Sequence, residues 1–206
     1  MFKFTKREVI DLIISFLVIS LGFCILYSGG SYDLNVIMTL LPIIMLGVGC
    51  GFIFHELGHK ISAMHYGYWA EYKMWVYGLV IALISSFFGF IFAAPGAVYI
   101  YGPNMTDREN GIISLAGPII NIAITIIFLV ILFSLGNSIM LSETNYIIAI
   151  ICIIGAKINS FLALFNLLPI PTLDGSKVLK WNIPIWLVTI AVAGILVYFT
   201  MFNIVM

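Results

Sequence analysis

Five long apolar stretches constrain this chain more than any other feature. Four of them cover residues 9–27, 36–54, 112–133 and 146–168, and the fifth runs from residue 183 to 206. Each holds about 20 mostly apolar residues, which is what a helix needs to cross the hydrocarbon of a bilayer. The chain is 63% hydrophobic and 9% charged. Ordinary soluble domains are about 45–50% apolar and about 25% charged. A soluble protein of 206 residues could not hide that much apolar surface. The pattern excludes a water-soluble globular domain, a disordered chain and a disulfide scaffold. It makes the lipid bilayer the first partner of the protein. Cys24, Cys50 and Cys152 all lie in apolar runs with no paired spacing, and read as small core hydrophobes. Lys plus Arg and Asp plus Glu balance at nine each. With no basic surplus to neutralise phosphates, nucleic acid is not an expected partner.

The loops give the expected orientation. Lys3, Lys6 and Arg7 precede the first stretch, which is too long for the apolar part of a signal peptide and reads as an uncleaved anchor. Basic residues favour the cytosolic side. They recur at Lys60, Lys73 and Arg108 and again at Lys177 and Lys180, whereas residues 28–35 and 134–145 carry none. Five spans with a cytosolic N-terminus satisfy every loop, so the expected location is the cell membrane, multi-pass. Two charged residues fall inside apolar runs. Asp11 is expected to face the membrane interface, and Lys157 to face the bundle interior or to snorkel.

Residues 55–59, at the end of the second stretch, read His-Glu-Leu-Gly-His. Residues four apart share one face of a helix, so His55 and His59 can reach one metal ion. Glu56 then stands beside the water that the metal activates, as its general base. A catalytic zinc takes three protein ligands and keeps one position open. Two candidates exist for the third ligand. Asp174 ends the segment Asn-Leu-Leu-Pro-Ile-Pro-Thr-Leu-Asp, residues 166–174, whose two prolines prevent a continuous helix. Non-helical backbone there can turn carbonyls and a carboxylate into a cavity. His65 sits where the metzincin pattern has its third histidine, but that pattern needs a glycine where this chain has Ser62. A helix through Ser62 leaves His65 too far from His55, so Asp174 is favoured.

These motifs together resemble the site-2 proteases, membrane-embedded zinc metalloproteases. His55 to His59 are followed by Ala63 and Tyr66-Gly67. Ala116-Gly-Pro-Ile-Ile-Asn121 opens the third clear span, and Asn166 to Gly175 matches N-x-x-P-x-P-x-x-D-G. The ordered set spans about residues 36–177, the catalytic core of what is expected to be a single domain over 1–206. The resemblance implies zinc held by His55, His59 and Asp174, with Glu56 as catalytic base. It places Asn166 near the metal, where it helps to hold the substrate or the oxyanion, and gives Asn121 a helix-positioning role. The implied substrate is a membrane-anchored protein, cut within or near its transmembrane helix as in regulated intramembrane proteolysis. A metal transporter fits less well, because no repeat of hydropathy and only one broken segment are visible.

The shared metal constrains residues 76–101. If Asp174 joins the two histidines, both motifs lie on one side of the bilayer. The 26 residues or so between cannot make two crossings. The stretch is therefore expected to dip in and return as strands around Gly96, where Ala-Val-Tyr-Ile-Tyr is strand-like. Such an edge could capture an extended substrate or merely seal the cavity. The expected fold is an all-α polytopic membrane protein of about five transmembrane helices. A re-entrant, partly β-stranded segment lies between the second and third.

Overall fold

The computed structural model describes residues 3–29, 33–92 and 94–204. Residues 30–32 of the first loop and the last two of the fifth stretch lie outside them. Helix α1 (Lys6–Tyr27) is capped by the Thr5 side chain. Helices α2 (Leu34–Val48) and α3 (Phe54–His65) are one continuous rod, joined by a π-helical turn at Gly49–Ile53. Strand β1 (Trp69–Met74) and helix α4 (Val76–Ser86) follow, and then strand β2 (Gly96–Tyr101). Helix α5 (Asp107–Leu135) starts with a capping box between Thr106 and Glu109. Helix α6 (Glu143–Asn166), the short α7 (Asp174–Trp181) and α8 (Ile183–Tyr198) complete the chain.

Among the described residues, five helical segments are long and apolar enough to cross a membrane. They are Lys6–Tyr27, Leu34–His65, Asp107–Leu141, Glu143–Asn166 and Ile183–Asn203. Their positions match the five apolar stretches of the sequence. Their outward faces carry Leu, Ile, Val and Phe, as on Val130, Phe133, Val188 and Ile195. A helix apolar on all sides suits a lipid environment.

Close approach at two helix crossings depends on glycine. A Cβ on Gly47 of α2 would lie 3.2 Å from Gly155 Cα of α6. One on Gly58 of α3 would lie 2.5 Å from Ile120 Cδ1 and 3.3 Å from the Ala116 carbonyl oxygen, both on α5. Small residues at crossings let membrane helices pack by dispersion where no hydrophobic drive separates protein from lipid.

The region between α3 and α5 meets the sequence expectation only in part: the strand expected after Gly96 forms as β2, whereas the rest differs. Gly67 (φ +83°) ends α3 and turns the chain into β1. Strand β1 lies before the stretch in which strands were expected, and pairs antiparallel with β2 from Trp69↔Tyr101 to Met74↔Gly96. The expected stretch itself opens with the helix α4. At 11 residues, α4 is about 16 Å long, roughly half the hydrocarbon thickness. Asp11 also differs from expectation. It is 5% exposed and accepts the Met74 N–H at 3.2 Å. Glu8, one turn earlier, accepts the Tyr72 N–H at 3.1 Å and the Lys60 ammonium at 2.6 Å. A carboxylate that caps main-chain donors is a satisfied buried group, not an interfacial one.

Candidate metal centre

Three elements meet at one point. Helix α3 carries His55 and His59 on one face, with their rings edge to face at 4.6 Å. Helix α7 begins at Asp174, delivered by the proline-broken connection from α6. The Asp174 Oδ2 lies 3.4 Å from His55 Nε2 and 3.1 Å from His59 Nε2, and the two Nε2 atoms are 3.0 Å apart. All three residues are buried. Gly175 allows this placement, because a Cβ there would sit 2.0 Å from the Leu167 carbonyl oxygen. Helix α5 closes the far side through Gly117. A Cβ at Gly117 would come within 2.5 Å of His59 Nε2 and 2.6 Å of His55 Nε2.

The outer ring nitrogens are held as well. His59 Nδ1 donates to the Ile113 carbonyl at 2.8 Å, and His55 Nδ1 lies 2.6 Å from Asn121 Oδ1. A carbonyl oxygen only accepts, so the proton of each ring belongs on Nδ1. Both Nε2 lone pairs are thereby left facing Asp174. Burial pushes the Asp174 carboxyl up; it is held well below the usual carboxylate range only where His59 and His55 carry a second proton and turn Nε2–H groups toward it in the place of a metal. The Lys177 ammonium stands 3.5 Å from the other carboxylate oxygen, Oδ1.

A cavity of about 570 Å³ opens onto this triad. Glu56, Asn166 and Lys177 line it on the helix side, and Gly96, Val98 and Ile100 of β2 line the opposite wall. Glu56 is 8% exposed, and its Oε2 has no hydrogen-bond partner among the described residues. A buried carboxylate oxygen without a partner is costly.

The comparisons with known proteins agree with this chemistry. The chain is 43% identical over 199 residues, 96% of either chain, to a protein of Methanocaldococcus jannaschii named "Putative zinc metalloprotease". It is 26% identical over 160 residues to a Bacillus subtilis protein of the same description, covering 71% of this chain and 72% of the relative. The chain belongs to this zinc metalloprotease family. No family model matches it, and no solved structure does so significantly.

The donor set suits the metal that this metalloprotease family name implies. Two imidazole nitrogens and one carboxylate are the three-ligand kind of set that catalytic zinc uses. Their spacings of 3.0, 3.1 and 3.4 Å compare with about 3.3 Å for the edge of a tetrahedron with zinc–ligand bonds of 2.0–2.1 Å. The unpartnered Glu56 oxygen beside them would gain a water.

Each residue singled out in the sequence can now be placed. His55, His59 and Asp174 come together, and Glu56 lies beside them. Asn166 is on the cavity wall, with its Nδ2 donating to the Leu162 carbonyl at 2.9 Å. His65 is exposed on the last turn of α3 and stacks edge-on against Tyr66. Asn121 touches His55 directly, a closer role than helix packing alone. Gly117 and Asn159 were not singled out. Gly117 was visible as part of the Ala-Gly-Pro run, whereas Asn159 had no local signal.

Proposed function

We propose that this metalloprotease is an intramembrane endopeptidase of the site-2 protease type. It would cut membrane-anchored proteins within or near a transmembrane helix, as in regulated intramembrane proteolysis. The observation that carries the reading is buried Glu56, with one carboxylate oxygen unpartnered among the described residues, on the wall of the cavity that opens onto the His55–His59–Asp174 cluster of a multi-helix apolar protein. Zinc bound by those three residues would polarise the scissile carbonyl and lower the pKa of the attacking water. Glu56 would take the proton of that water at Oε2 and return it to the leaving amine. Asn166 would help to hold the substrate or the oxyanion from the cavity wall. Lys177 would hold Asp174 Oδ1, leaving Oδ2 turned toward the imidazoles.

A scissile carbonyl inside a helix is hydrogen-bonded and shielded, so the substrate must be extended where it is cut. Strand β2 offers a surface for that. The N–H groups of Tyr72 and Met74 go to Glu8 and Asp11 of α1, which blocks the outer edge of β1. Their register partners Val98 and Gly96 therefore direct main-chain groups away from β1. An extended substrate segment would pair with that edge. The loop charges support a cytosolic N-terminus and active site, with residues 76–101 re-entrant within one catalytic domain over 1–206 of a multi-pass cell-membrane protein.

The test is Glu56→Ala. Expected is a full complement of zinc with cleavage of a membrane-anchored substrate lost in detergent micelles. Normal cleavage by the zinc-loaded variant would overturn the mechanism.

A further inference from the structure

Two asparagines in the interior of the helix bundle lie beyond the reacting groups. Asn121 on α5 and Asn159 on α6 are both fully buried. Asn159 Nδ2 donates to the Gly155 carbonyl at 2.8 Å and to the Gly47 carbonyl at 3.3 Å. Both are acceptors only, so Asn159 Oδ1 must face the other way, toward Asn121. Asn121 Nδ2 donates to that oxygen at 3.0 Å and to the Gly51 carbonyl at 3.0 Å. Asn121 Oδ1 is then left for His55 Nδ1 at 2.6 Å. Each amide is polarised in one sense by main-chain carbonyls, and the direction passes along the chain to the imidazole.

Two of those carbonyls, Gly47 and Gly51, lie at or beside the π-helical turn at Gly49–Ile53, and the third, Gly155, lies one turn back on α6. In an α-helix every interior carbonyl is taken by the N–H four residues on. A π turn shifts that pairing by one residue and loosens the ladder locally. Gly51 lies within the turn and Gly47 just before it, and both have no side chain to hinder an approaching amide. A Cβ on Gly51 would lie 3.1 Å from Asn159 Oδ1.

We infer that Asn159 is a positioning residue for the metal centre. Through Asn121, and anchored on the carbonyls around the π turn, it fixes the His55 tautomer with the proton on Nδ1. The Nε2 lone pair is thereby kept aimed at the metal. Asn159 is not among the residues lining the cavity, and it reaches His55 through Asn121. The inference rests on the zinc reading above. Partners that orient a ligating histidine are worth 10–100-fold in metal affinity. One step further out, the effect belongs at the lower end of that range.

The test measures zinc affinity by competition with a chelator, on the full-length protein in micelles. Asn159→Leu should bind zinc about tenfold more weakly than wild type. Asn159→Asp, kept protonated by this fully buried site, retains the oxygen that accepts from Asn121 and an O–H donor for the Gly155 carbonyl, and should stay within about threefold of wild type, on the same scale. Ser160→Ala, which removes the neighbouring Ser160–Thr200 hydrogen bond of 2.9 Å, controls for general loosening of α6. With three histidines in the chain, ¹⁵N-histidine labelling resolves the tautomers directly. The His55 Nδ1–H signal should weaken in Asn159→Leu and persist in Asn159→Asp. Wild-type affinity and an unchanged His55 signal in Asn159→Leu would overturn the inference. So would equal loss in Asn159→Asp or Ser160→Ala. A wild-type protein that binds no zinc would instead bring down the metal reading, and this inference with it.

Discussion

The two walls of the cavity are built by opposite means. The helix wall, made by α3, α5 and α7, holds its groups by close backbone approach. Gly58, Gly117 and Gly175 each stand where a single methyl group would collide with a neighbour. The sheet wall, made by β1 and β2, is held from behind by charge. Glu8 and Asp11 of α1 accept main-chain N–H groups of β1, and Glu8 also neutralises the buried Lys60 beside His59. The difference teaches a division of labour. A rigid wall fixes metal donors to fractions of an ångström, as catalysis requires. A wall clamped along one edge of a two-stranded sheet has, among the described residues, no third strand on its other edge, where the proposed substrate would pair.

The sharpest break in that comparison is Asp174→Ala. It removes a direct donor and a compensating negative charge, so zinc loss should exceed the 10–100-fold typical of outer partners. Zinc per protein after identical dialysis measures it, with His65→Ala as the companion that should keep its metal. If His65→Ala empties the site while Asp174→Ala retains zinc, the rigid wall has been assigned to the wrong residues.

Next comes the clamp. Glu8 and Lys60 are each 1% exposed. Removing one member of a buried ion pair costs about 3–5 kcal/mol, because the other charge stays behind. Glu8→Ala should therefore lower the thermal unfolding midpoint steeply, and loosen β1 before the metal centre. Hydrogen exchange at Tyr72 and Met74 would report the order. Protection unchanged at those two amides would show that α1 does not hold the sheet.

How much of this was legible beforehand follows the same division. The helix wall is written in local motifs. His55 to His59 is a one-face spacing, and the prolines at 169 and 171 announce the break that delivers Asp174. Of the sheet wall only β2, the strand-like run after Gly96, was legible. Residues 76–86 are apolar throughout, so neither the helical nor the strand period stands out. They were expected only to dip in and return, and they form the helix α4. Asp11 read as an interfacial charge because its partner, the Met74 N–H, lies 63 residues away. Asn159 was invisible for the same reason, since its meaning depends on a turn in α2–α3 and an amide on α5.

A matched pair of glycines compares the walls directly. Gly117→Ala would press a methyl group onto both Nε2 atoms. Zinc affinity should fall by about 10–100-fold, as for other displacements of ligating imidazoles. Gly96→Ala would meet the Lys73 carbonyl at 2.3 Å and the Tyr72 hydroxyl at 2.4 Å. It should disturb β2 and cleavage while zinc stays bound. If Gly96→Ala loses zinc as readily as Gly117→Ala, the two walls are one mechanical unit and the division above fails.

The smallest expected effect probes the free edge of β2 itself. Val98→Pro deletes one N–H on the side facing away from β1, so no hydrogen bond within the sheet is lost. Ala97, which precedes it, is already in a strand, the conformation that a following proline favours. The sheet should therefore survive, and so should the zinc. What disappears is one hydrogen bond to an extended substrate, worth about 0.5–1.5 kcal/mol net. KM for a membrane-anchored substrate should rise by about twofold to tenfold with kcat little changed. Val98→Ala trims the same side chain but keeps the N–H, and should leave KM near wild type. If the two variants raise KM equally, the side chain matters and the edge does not. In that case β2 is only a cover over the cavity.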